Sequence, residues 1–536
     1  MTSEHLHPVR VAAVCVTWNR RDAVVRAIEA LAAQDAGTQR LDLVVVDNAS
    51  TDGTGDALAA RWRPDAMFEQ RSGDGASPDL HTGAARGGAE GGGAHPFGSF
   101  TIIRNALNLG GCGGFNTGLA FVRDRLAVSG QPPGFAWLLD DDAVVAPDAL
   151  ARLLEAMAVD PRIAVAGSRM LRPLAPGDDV SDPLAADRTT ETTVYLDPRT
   201  GLYTPTPGNG HPLANAYAAW RSLPDAERLV RPVDVDVTAA CSLLARWSAV
   251  EKVGLWDPRF FISGDDADWC LRMRRAGYRV VCAPAATVEH ELWKLKRDAG
   301  RDYCRRRNLV WVWRRWFERS EARRVTRAHF RKLLDEARRH AAHRRAFEAR
   351  ATLRTVLDAA TGRGGRLDLE PPRPMPIRDA LRDAGVEGAP GRVVIAAGSG
   401  RAHKRGELLR RLAARKLGRE PRGWRRLEGG PGRRGRLMGA LGRPTRVVIV
   451  PTHACTPIVR RGSRTVRIAS LSPPRVTIER GGWLWRARFE ARYWRARIAA
   501  WWSLRRMPEP PDPPSGVAGG KQTGAGGRRA RARSEG

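Results

Sequence analysis

Short apolar runs that stop at polar residues alternate with helical patterns along the first half of the chain. The run from Val11 to Val16 breaks at Thr17, and apolar residues at helical spacing follow it. A second run, Leu41 to Val46, ends at Asp47. Strand, helix and strand in this order predict βα units and a mostly parallel sheet flanked by helices. The predicted fold class is therefore α/β.

Polar side chains follow these strands at the point where each one ends. Parallel strands present their carboxyl ends at one edge of a sheet, and open α/β sheets bind ligands there. The pattern therefore places Asn19, Arg20, Asp47 and Asn48 along one edge of the predicted sheet.

The stretch with the clearest chemistry is a further apolar run, Phe135 to Leu139, which ends in Asp140, Asp141 and Asp142. Three adjacent carboxylates repel one another and need a compensating cation. Mg²⁺ and Mn²⁺ prefer oxygen ligands and commonly bridge protein carboxylates and substrate phosphates. We interpret the stretch as a metal and diphosphate site, with a solvated acidic turn as the alternative.

A glycine-rich turn at residues 108–118 opens a predicted helix, whose N-terminus can support an anion. It has neither the spaced glycines of a dinucleotide fold nor the lysine of a P-loop, so a tight turn explains it equally well. A second acidic cluster, Asp265, Asp266 and Asp268, begins a later helix, where acidic residues also serve as caps. His290 follows the next strand, and its roles as metal ligand and as structural histidine both stay open.

Charge divides the chain into two unlike halves. The 536 residues carry a net charge of +31; residues 1–290 contain 28 Lys/Arg and 36 Asp/Glu, and the remainder contains 61 and 22. An acidic front half and a basic back half suggest two separate tasks. The basic half fits an anionic partner such as a membrane surface, a nucleic acid or a phosphorylated substrate.

The compartment is predicted from cysteine usage and from the lack of apolar segments. The seven cysteines are scattered and contain no CxxC pair, which suits a reducing compartment. The start of the chain shows no signal-peptide pattern, and no apolar run approaches the ~20 residues that span a bilayer. We expect a cytoplasmic protein, peripheral on the inner face of the cell membrane.

Taken together, the motifs resemble the inverting GT-A glycosyltransferases of family 2. The resemblance covers roughly residues 9–318, in matching order and spacing. Within the family, the triple Asp and the second acidic block look most like bacterial galactofuranosyltransferases, with rhamnosyltransferases close behind. The motifs that carry it are Val-Thr-Trp-Asn-Arg (16–20), Val-Asp-Asn-Ala-Ser (46–50), Asn-Leu-Gly-Gly (108–111), Asp-Asp-Asp (140–142), Gly-Asp-Asp-Ala-Asp-Trp-Cys-Leu-Arg (264–272) and His290.

The resemblance implies a role for each matching residue. The implied catalytic pair is Asp266, as general base, and Asp265, which orients sugar or acceptor. The implied metal ligands are Asp140, Asp142 and His290. The donor site would be formed by Thr17, Trp18, Arg20, Asp47, Asn108, Gly110, Gly111, Asp140 and Asp141, and the diphosphate or acceptor vicinity by Trp269, Tyr303, Arg307 and Asn308.

The chemistry implied is a metal-dependent single displacement with inversion at the sugar. A divalent ion, Mn²⁺ or Mg²⁺, neutralises charge on the diphosphate leaving group. A carboxylate takes the proton of the attacking acceptor hydroxyl. The expected reaction moves a sugar, galactofuranose or rhamnose, from a nucleotide-diphosphate donor to a cell-envelope glycan or a lipid-linked acceptor.

The organisation predicted along the chain places a basic α+β extension after the GT-A domain. Residues 483–507 combine aromatic and apolar residues at helical spacing with arginines, which suits a helix in an anionic membrane interface or a helix that packs on the protein. The predicted segments are a GT-A domain at 1–318 with a flexible insertion at 71–98, a helical extension at 319–362, a basic α+β region at 363–480, the aromatic and Arg-rich helix at 481–507 and a disordered tail at 508–536.

Two other functions fit part of the sequence. A nucleotidyltransferase also combines a nucleotide-binding sheet with acidic metal ligands, but its usual glycine- and Lys/Arg-rich first loop is missing at residues 17–22. A nucleic-acid-binding protein would use the arginines and tryptophans of the basic half to bind phosphates and stack bases. That second function leaves the acidic clusters unexplained, and we expect no nucleic-acid partner.

Overall fold

The structure is a computed structural model. The residues that it describes are 9–35, 40–70, 95–127, 132–173, 188–291, 298–342, 345–370, the strands at 375–376, 392–396, 425–427, 445–451, 464–471 and 474–480, and 483–506. The predicted insertion at 71–98 lies outside the described residues up to position 94, and so does the predicted tail at 508–536.

An eleven-stranded sheet forms the centre of the acidic half of the chain. The three strands predicted from the apolar runs, at Arg10–Thr17, Arg40–Asp47 and Phe135–Asp140, are buried along most of their length. The strands of the sheet are β1 (Arg10–Thr17), β2 (Arg40–Asp47), β3 (Ala66–Gln70), β4 (Ser99–Asn105), β5 (Phe135–Asp140), β6 (Val144–Val145), β7 (Ile163–Leu171), β8 (Thr189–Glu191), β11 (Val233–Asp234), β12 (Ser242–Arg246) and β13 (Arg279–Glu289), while β9 (Tyr195–Asp197) and β10 (Leu202–Thr204) form a separate hairpin.

The strand order is β11-β13-β7-β12-β5-β1-β2-β4-β3, with β6 paired to β13 and β8 to β7. The block from β5 to β3 is parallel throughout. Strand β12 is antiparallel to both β5 and β7, so β7 and its parallel neighbour β13 point in the same direction as β5. The prediction of a mostly parallel sheet is confirmed.

Helices cover both faces of this sheet. One apolar cluster contains the alternate strand residues that face α1, α2 and α4, and the other contains those that face α3 and the later helices. These helices are α1 (Arg21–Ala32), α2 (Thr54–Trp62), α3 (Gly110–Phe121), α4 (Ala149–Ala158), α5 (Ala214–Arg221), α6 (Asp225–Val230), α7 (Trp247–Val253), α8 (Asp265–Arg275), α9 (Ala299–Trp316), α10 (Arg319–Ala342) and α11 (Ala346–Thr361).

One predicted strand is much shorter than its apolar run suggests. Residues 233–239 are expected to form a strand, but only Val233–Asp234 pairs with β13. Val235 still donates to the carbonyl of Val280 in β13, but the backbone N–H groups of Asp236 and Val237 donate to the carbonyl of Val194 instead. The buried carboxylate of Asp236 also accepts from the backbone N–H of Leu196 at 2.9 Å and contacts His211 at 2.9 Å. The backbone therefore leaves β13 for a different partner after Val235.

The helical extension consists of α10 and α11, and a twelfth helix, α12 (Trp483–Arg505), packs against it. Helix α12 contacts α10 and α11 through Phe489, Tyr493, Ala496 and Ala500, which are all at most 4% exposed. Packing on the protein, one of the two alternatives left open for this helix, is therefore observed for one of its faces.

The basic region between these helices contains six strands in a second sheet. Three short runs predicted as strands, near residues 392–396, 446–450 and 464–469, are strands in the structure. The sheet order is β14-β19-β18-β17-β15-β16, for β14 (Met375–Pro376), β15 (Arg392–Ala396), β16 (Arg425–Leu427), β17 (Thr445–Pro451), β18 (Arg464–Leu471) and β19 (Pro474–Arg480).

Across the ranges given above, no helix combines the length and the apolar character that crossing a bilayer would require.

The packing of α12 predicts a large loss of stability when its buried aromatic face is truncated. Replacing Phe489 by Ala removes a ring that is 4% exposed and leaves a cavity against the helical layer. We expect a loss of about 3–5 kcal/mol in the free energy of unfolding, measured by urea denaturation. Trp494→Ala on the exposed face of the same helix is the matched control and should change stability by less than about 1 kcal/mol. Equal effects of the two substitutions would contradict this packing.

Candidate active site

The polar ends of four strands meet at one edge of the sheet, as the sequence predicts. Thr17 at the end of β1 pairs with Asp47 at the end of β2, and Val16 pairs with Asp140 at the end of β5. Because β13 runs in the same direction as β5, its last residue brings His290 to this edge as well. Residues separated by more than 270 positions along the chain therefore share one site.

Asp140, Asp142 and His290 form a group whose ligand atoms all lie within 4.8 Å of one another. The Nε2 atom of His290 lies 3.2 Å from Oδ1 of Asp142 and 3.5 Å from Oδ2 of Asp140. Two carboxylates and an imidazole suit Mn²⁺ in particular, and the carboxylates suit Mg²⁺. This donor set fits the predicted divalent ion, and no other group of this kind was found among the residues that the structure describes.

Two cationic side chains balance the acidic group. Arg20 donates from Nη1 to Oδ2 of Asp142 at 2.8 Å, and its Nη2 lies 3.8 Å from the carboxylate of Glu291. Burial disfavours the charged imidazole, but the hydrogen bonds to Asp140 and Asp142 outweigh it and raise the pKa of His290 to about 9. A divalent ion would take over the role of these charges at Asp142.

Asp141 points toward the start of the first loop rather than toward the metal group. Its Oδ2 accepts from the backbone N–H of Trp18 at 3.3 Å. Burial, followed by the charges of Asp142 and Asp140, raises the pKa of Asp141 to about 7. The indole of Trp18 is half exposed beside it, while Asp47 is buried and accepts from the backbone N–H of Ser50. This arrangement leaves an aromatic surface open next to two carboxyl groups.

Asn48 holds the glycine-rich turn in place. Its Oδ1 accepts from the backbone N–H of Leu109 and from Asn105, both at 3.0 Å. Its Nδ2 donates to the carbonyl of Gly110 at 2.8 Å and to Oδ1 of Asn108 at 3.2 Å. Asn108 in turn accepts from the N–H of Gly110 at 2.8 Å. The predicted donor residues of this turn are thus fixed by an amide network that begins at the end of β2.

Gly110 brings this turn against the loop that precedes α8. Its φ is +74°, and a Cβ built at this position would lie 2.0 Å from the carbonyl oxygen of Phe261. The N–H of Cys112 donates to the same oxygen at 3.2 Å. Phe261 and Ser263 themselves adopt positive φ angles of 66° and 70°. Only glycine permits this approach, and the loop stores backbone strain next to the acidic helix start.

Asn308 and Arg307 hold the strained loop from behind. Asn308 donates from Nδ2 to the carbonyls of Phe260, Ile262 and Ser263 at 2.7–3.0 Å. Arg307 donates from Nη2 to the carbonyls of Phe260 and Arg259 at 2.9 and 3.1 Å. Both side chains are completely buried.

Tyr303 continues this buried network away from the site. It donates to Oδ2 of Asp358 at 2.7 Å and accepts from Nη1 of Arg307 at 3.1 Å. The structure therefore places Tyr303, Arg307 and Asn308 behind the loop, and their contacts position it. Trp269 likewise lies in the core, where it donates to the carbonyl of Gly254 and packs on Trp256. These four predicted residues are not brought to the open side of the site.

The second acidic cluster divides into one open carboxylate and two held ones. Asp268 accepts from Arg315 at 2.6 Å and from Arg272 at 3.2 Å, which fixes α8 to α9. Asp265 is 7% exposed, and burial followed by the charge of Asp266 raises its pKa. Asp266 is more open than Asp265, and burial together with the charge of Asp140 keeps its pKa above the usual range. The charge of Asp140 raises the pKa of both carboxyl groups, and Asp266 is the more exposed of the two.

The structure adds Glu191, which the sequence analysis missed. It ends β8, which pairs with β7 beside the end of β13. Burial and then the charge of Asp266 raise the pKa of Glu191 to about 7, while His290 opposes this shift. Glu191 thus lies within electrostatic range of both the acidic helix start and the metal group. No motif surrounds it in the sequence, and only the pairing of β8 brings it here.

Comparison with known proteins agrees with this site. Residues 90–313 match the model of a family described as glycosyltransferase-like family 2. The matched segment contains the glycine-rich turn, both acidic clusters and His290. The predicted α/β fold class, with a mostly parallel sheet flanked by helices, is confirmed. The match agrees with the predicted enzyme class, glycosyltransferase.

Two solved structures resemble the chain more distantly. GalNAc-T7 with UDP, GalNAc and Mn²⁺ shares 13% identity at a TM-score of 0.39, over 58% of this chain and 49% of that one. The mannosyltransferase PcManGT from Pyrobaculum calidifontis, in complex with GDP-Man and Mn²⁺, shares 16% identity at a TM-score of 0.34, over 71% of this chain and 80% of that one. The chain spans about half the length of GalNAc-T7. A search of curated proteins gave no match.

The contact at Gly110 predicts that a single added methyl group disturbs the site. Gly110→Ala places Cβ against the carbonyl of Phe261 and strains a positive φ. We expect a loss of at least about 2 kcal/mol of stability, measured as a lower unfolding midpoint in urea. Gly111→Ala is the control, since a Cβ there meets nothing within 4 Å. If Gly110→Ala unfolds like the control, the close approach of the two loops is not present in solution.

Proposed function

We propose that the protein is a metal-dependent inverting glycosyltransferase that moves a sugar from a nucleotide-diphosphate donor to a hydroxyl of a cell-envelope glycan or lipid-linked acceptor. The observation that carries this proposal is the placement of Asp140, Asp142 and His290 at the sheet edge opposite Asp266, within a segment that matches the family-2-like model.

The donor occupies the edge between the first loop and the glycine-rich turn. The half-exposed indole of Trp18 offers a stacking surface for the base, and the buried carboxylate of Asp47 accepts hydrogen bonds from base or ribose. The diphosphate lies near Asn108 and the N-terminus of α3, where the helix dipole favours an anion. Arg20 lies beside Asp142 and balances negative charge there.

The metal is held by Asp142 and His290, together with Asp140. When bound, a divalent ion neutralises the charge that grows on the diphosphate as the sugar leaves. The carboxylates and the imidazole fix its position, and Arg20 supplies further positive charge next to the same oxygen atoms.

Asp266 acts as the general base. It takes the proton of the acceptor hydroxyl while that oxygen attacks the anomeric carbon from the side opposite the diphosphate. One base and one displacement give inversion at the sugar, and no covalent intermediate is needed. Asp265 orients the sugar or the acceptor, and Glu191 contacts the acceptor on the same side.

Galactofuranose and rhamnose are the donor sugars that we favour, and the cytoplasmic face of the membrane is the proposed location. The support for the sugars is the resemblance of the triple Asp and of the block at 264–272 to transferases of these sugars. The support for a lipid-linked acceptor is the same resemblance. Release of a nucleoside diphosphate, rather than of pyrophosphate, would separate this reaction from that of a nucleotidyltransferase.

Metal-dependent donor turnover is the first prediction of this proposal. Purified protein should hydrolyse one sugar nucleotide, or transfer its sugar, only when Mn²⁺ or Mg²⁺ is present. The donors to test are UDP-galactofuranose, dTDP-rhamnose, UDP-galactopyranose and UDP-glucose. Chelation should abolish the release of nucleoside diphosphate, and Mn²⁺ should restore it. Asp142→Ala should lower turnover by about 100-fold or more, since several kcal/mol of charge stabilisation are lost.

The control for this loss is Asp148→Ala, which removes a carboxylate from the same segment. Asp148 is about half exposed and pairs with Arg152 on the protein surface. Its replacement should leave turnover and metal dependence unchanged. The metal site would be refuted if the wild type kept its full turnover in chelator. It would also be refuted if Asp142→Ala turned over the donor as fast as the wild type.

The second prediction separates the base from the donor site. Asp266→Asn keeps the size of the side chain but cannot accept the acceptor proton. It should lower transfer by roughly 10²–10⁴-fold while the dissociation constant of the donor stays nearly the same. Because burial and Asp140 raise the pKa of Asp266, wild-type transfer should increase with pH through a pKa above that of an ordinary aspartate. Isothermal titration and initial rates measure the two quantities.

Asp265→Asn is the comparison variant for the base. We expect it to lower transfer less than Asp266→Asn, because Asp265 is the more buried member of the pair. If Asp265→Asn abolishes transfer and Asp266→Asn does not, the roles of the two carboxylates are reversed.

A further inference from the structure

We propose that the exposed face of α12 binds the surface of an anionic lipid bilayer, with its tryptophans and Ile498 in the interface and its arginines on the lipid phosphates. This inference uses none of the residues of the active site. It concerns the face of α12 that does not pack on the helical layer.

The two faces of α12 are both apolar but have different surroundings. The residues that pack on α10 and α11 recur at helical spacing along one side, and each is at most 4% exposed. Trp494, Ile498, Trp501 and Trp502 recur at the same spacing on the opposite side and are 46–53% exposed. They account for four of the ten exposed large apolar residues among those described, so the exposure is concentrated on one helix.

Arginines border this apolar stripe on both sides. Glu490 is the only acidic residue of the helix. Viewed down the helix, Arg497 lies on one side of the tryptophans and Arg495 on the other. The exposed arginines of the helix and the residue after it are Arg488, Arg492, Arg495, Arg497, Arg505 and Arg506. A stripe of tryptophan and aliphatic side chains bordered by cations is complementary to a surface that is apolar inside and anionic outside.

Cation–π contacts favour a lipid surface over a nucleic acid. The guanidinium of Arg505 lies 3.8 Å from the ring centre of Trp501, and those of Arg497 and Arg506 lie 4.9 and 5.0 Å from Trp494 and Trp502. A base that stacks on a tryptophan needs an open ring face, and a guanidinium already covers one of the two faces of each of these three rings. Tryptophan edges with adjacent arginines suit the headgroup layer.

A second copy of the chain is disfavoured by charge. Joining two α12 faces would bring two strongly cationic surfaces together, with one glutamate on each to offset them. An anionic bilayer instead gains from each arginine. The helix would lie flat on the bilayer, since its other face is buried against α10 and α11.

Vesicle binding by the full chain tests this proposal. Vesicles of phosphatidylcholine alone and of phosphatidylcholine with an equal amount of phosphatidylglycerol are sedimented with the protein at low and at high salt. We expect binding to the anionic vesicles only, weakened by salt. Arg488→Gln, Arg495→Gln and Arg497→Gln together should weaken it by about 100-fold, since each basic side chain near the surface contributes about fivefold.

Substitution of the tryptophans tests the apolar contribution separately. Trp494→Ser, Trp501→Ser and Trp502→Ser together should weaken binding by about tenfold or more, because less apolar surface enters the interface. The control is Val159→Ser with Val230→Ser, which removes exposed apolar residues elsewhere on the surface. The control should bind like the wild type.

Measurements on the wild type keep the test decisive if a variant does not fold. Tryptophan fluorescence should be quenched by lipids labelled in the headgroup region of anionic vesicles and not by the same lipids in neutral vesicles. Absent or salt-insensitive vesicle binding would overturn the proposal. The proposal would also be overturned if the wild type formed a dimer and the tryptophan variant did not. A tryptophan variant that lost binding to oligonucleotides but still bound vesicles would overturn it as well. These vesicle experiments contain no sugar donor. A negative result would therefore contradict the membrane proposal alone and would leave the proposed reaction untouched.

Discussion

Repulsion among Asp140, Asp141 and Asp142 is the constraint on which the site depends. Three carboxylates at the end of one strand are tolerated only where cations face them, and the fold supplies Arg20 from the loop after β1 and His290 from the end of β13. Neither cation could reach Asp142 unless β1 and β13 ran in the same direction as β5. The charge balance of the site therefore depends on the parallel direction of these strands. A divalent ion would add positive charge to a site that already contains two cationic side chains.

A second constraint connects the glycine-rich turn to the second acidic cluster. Gly110 touches the loop at Phe261, and that loop leads directly into Asp265 and Asp266. Arg307 and Asn308 hold the loop through five hydrogen bonds to carbonyl groups of residues 259–263. Because the loop carries positive φ angles at Phe261 and Ser263, these bonds offset strain that would otherwise relax. The position of Asp266 relative to the glycine-rich turn thus depends on a buried guanidinium, that of Arg307, which contacts neither.

The strands and the acidic edge could be predicted because their signals are local. An apolar run that ends at Asp47 or Asp140 shows both the strand and its polar end within eight residues. Glu191 could not be found in this way, since its neighbours contain no motif and the pairing of β8 with β7 alone brings it to the site. The placement of Arg307 also escaped prediction, because a charged residue suggests solvent or ligand whereas here every donor group of the side chain contacts the protein.

Helix α12 shows why its sequence pattern allowed two interpretations. A helix that only packs needs one apolar face, and a helix that only lies on a membrane also needs one, but this helix has two. Small residues, Ala496 and Ala500, occupy the packed face beside Phe489 and Tyr493, while the larger Trp501 and Trp502 lie outside. Burying the tryptophans on the protein would have released more free energy than burying the alanines. Their exposure therefore has a cost in water that an apolar and anionic surface would remove, and the cationic side chains of the same face select such a surface over a neutral one.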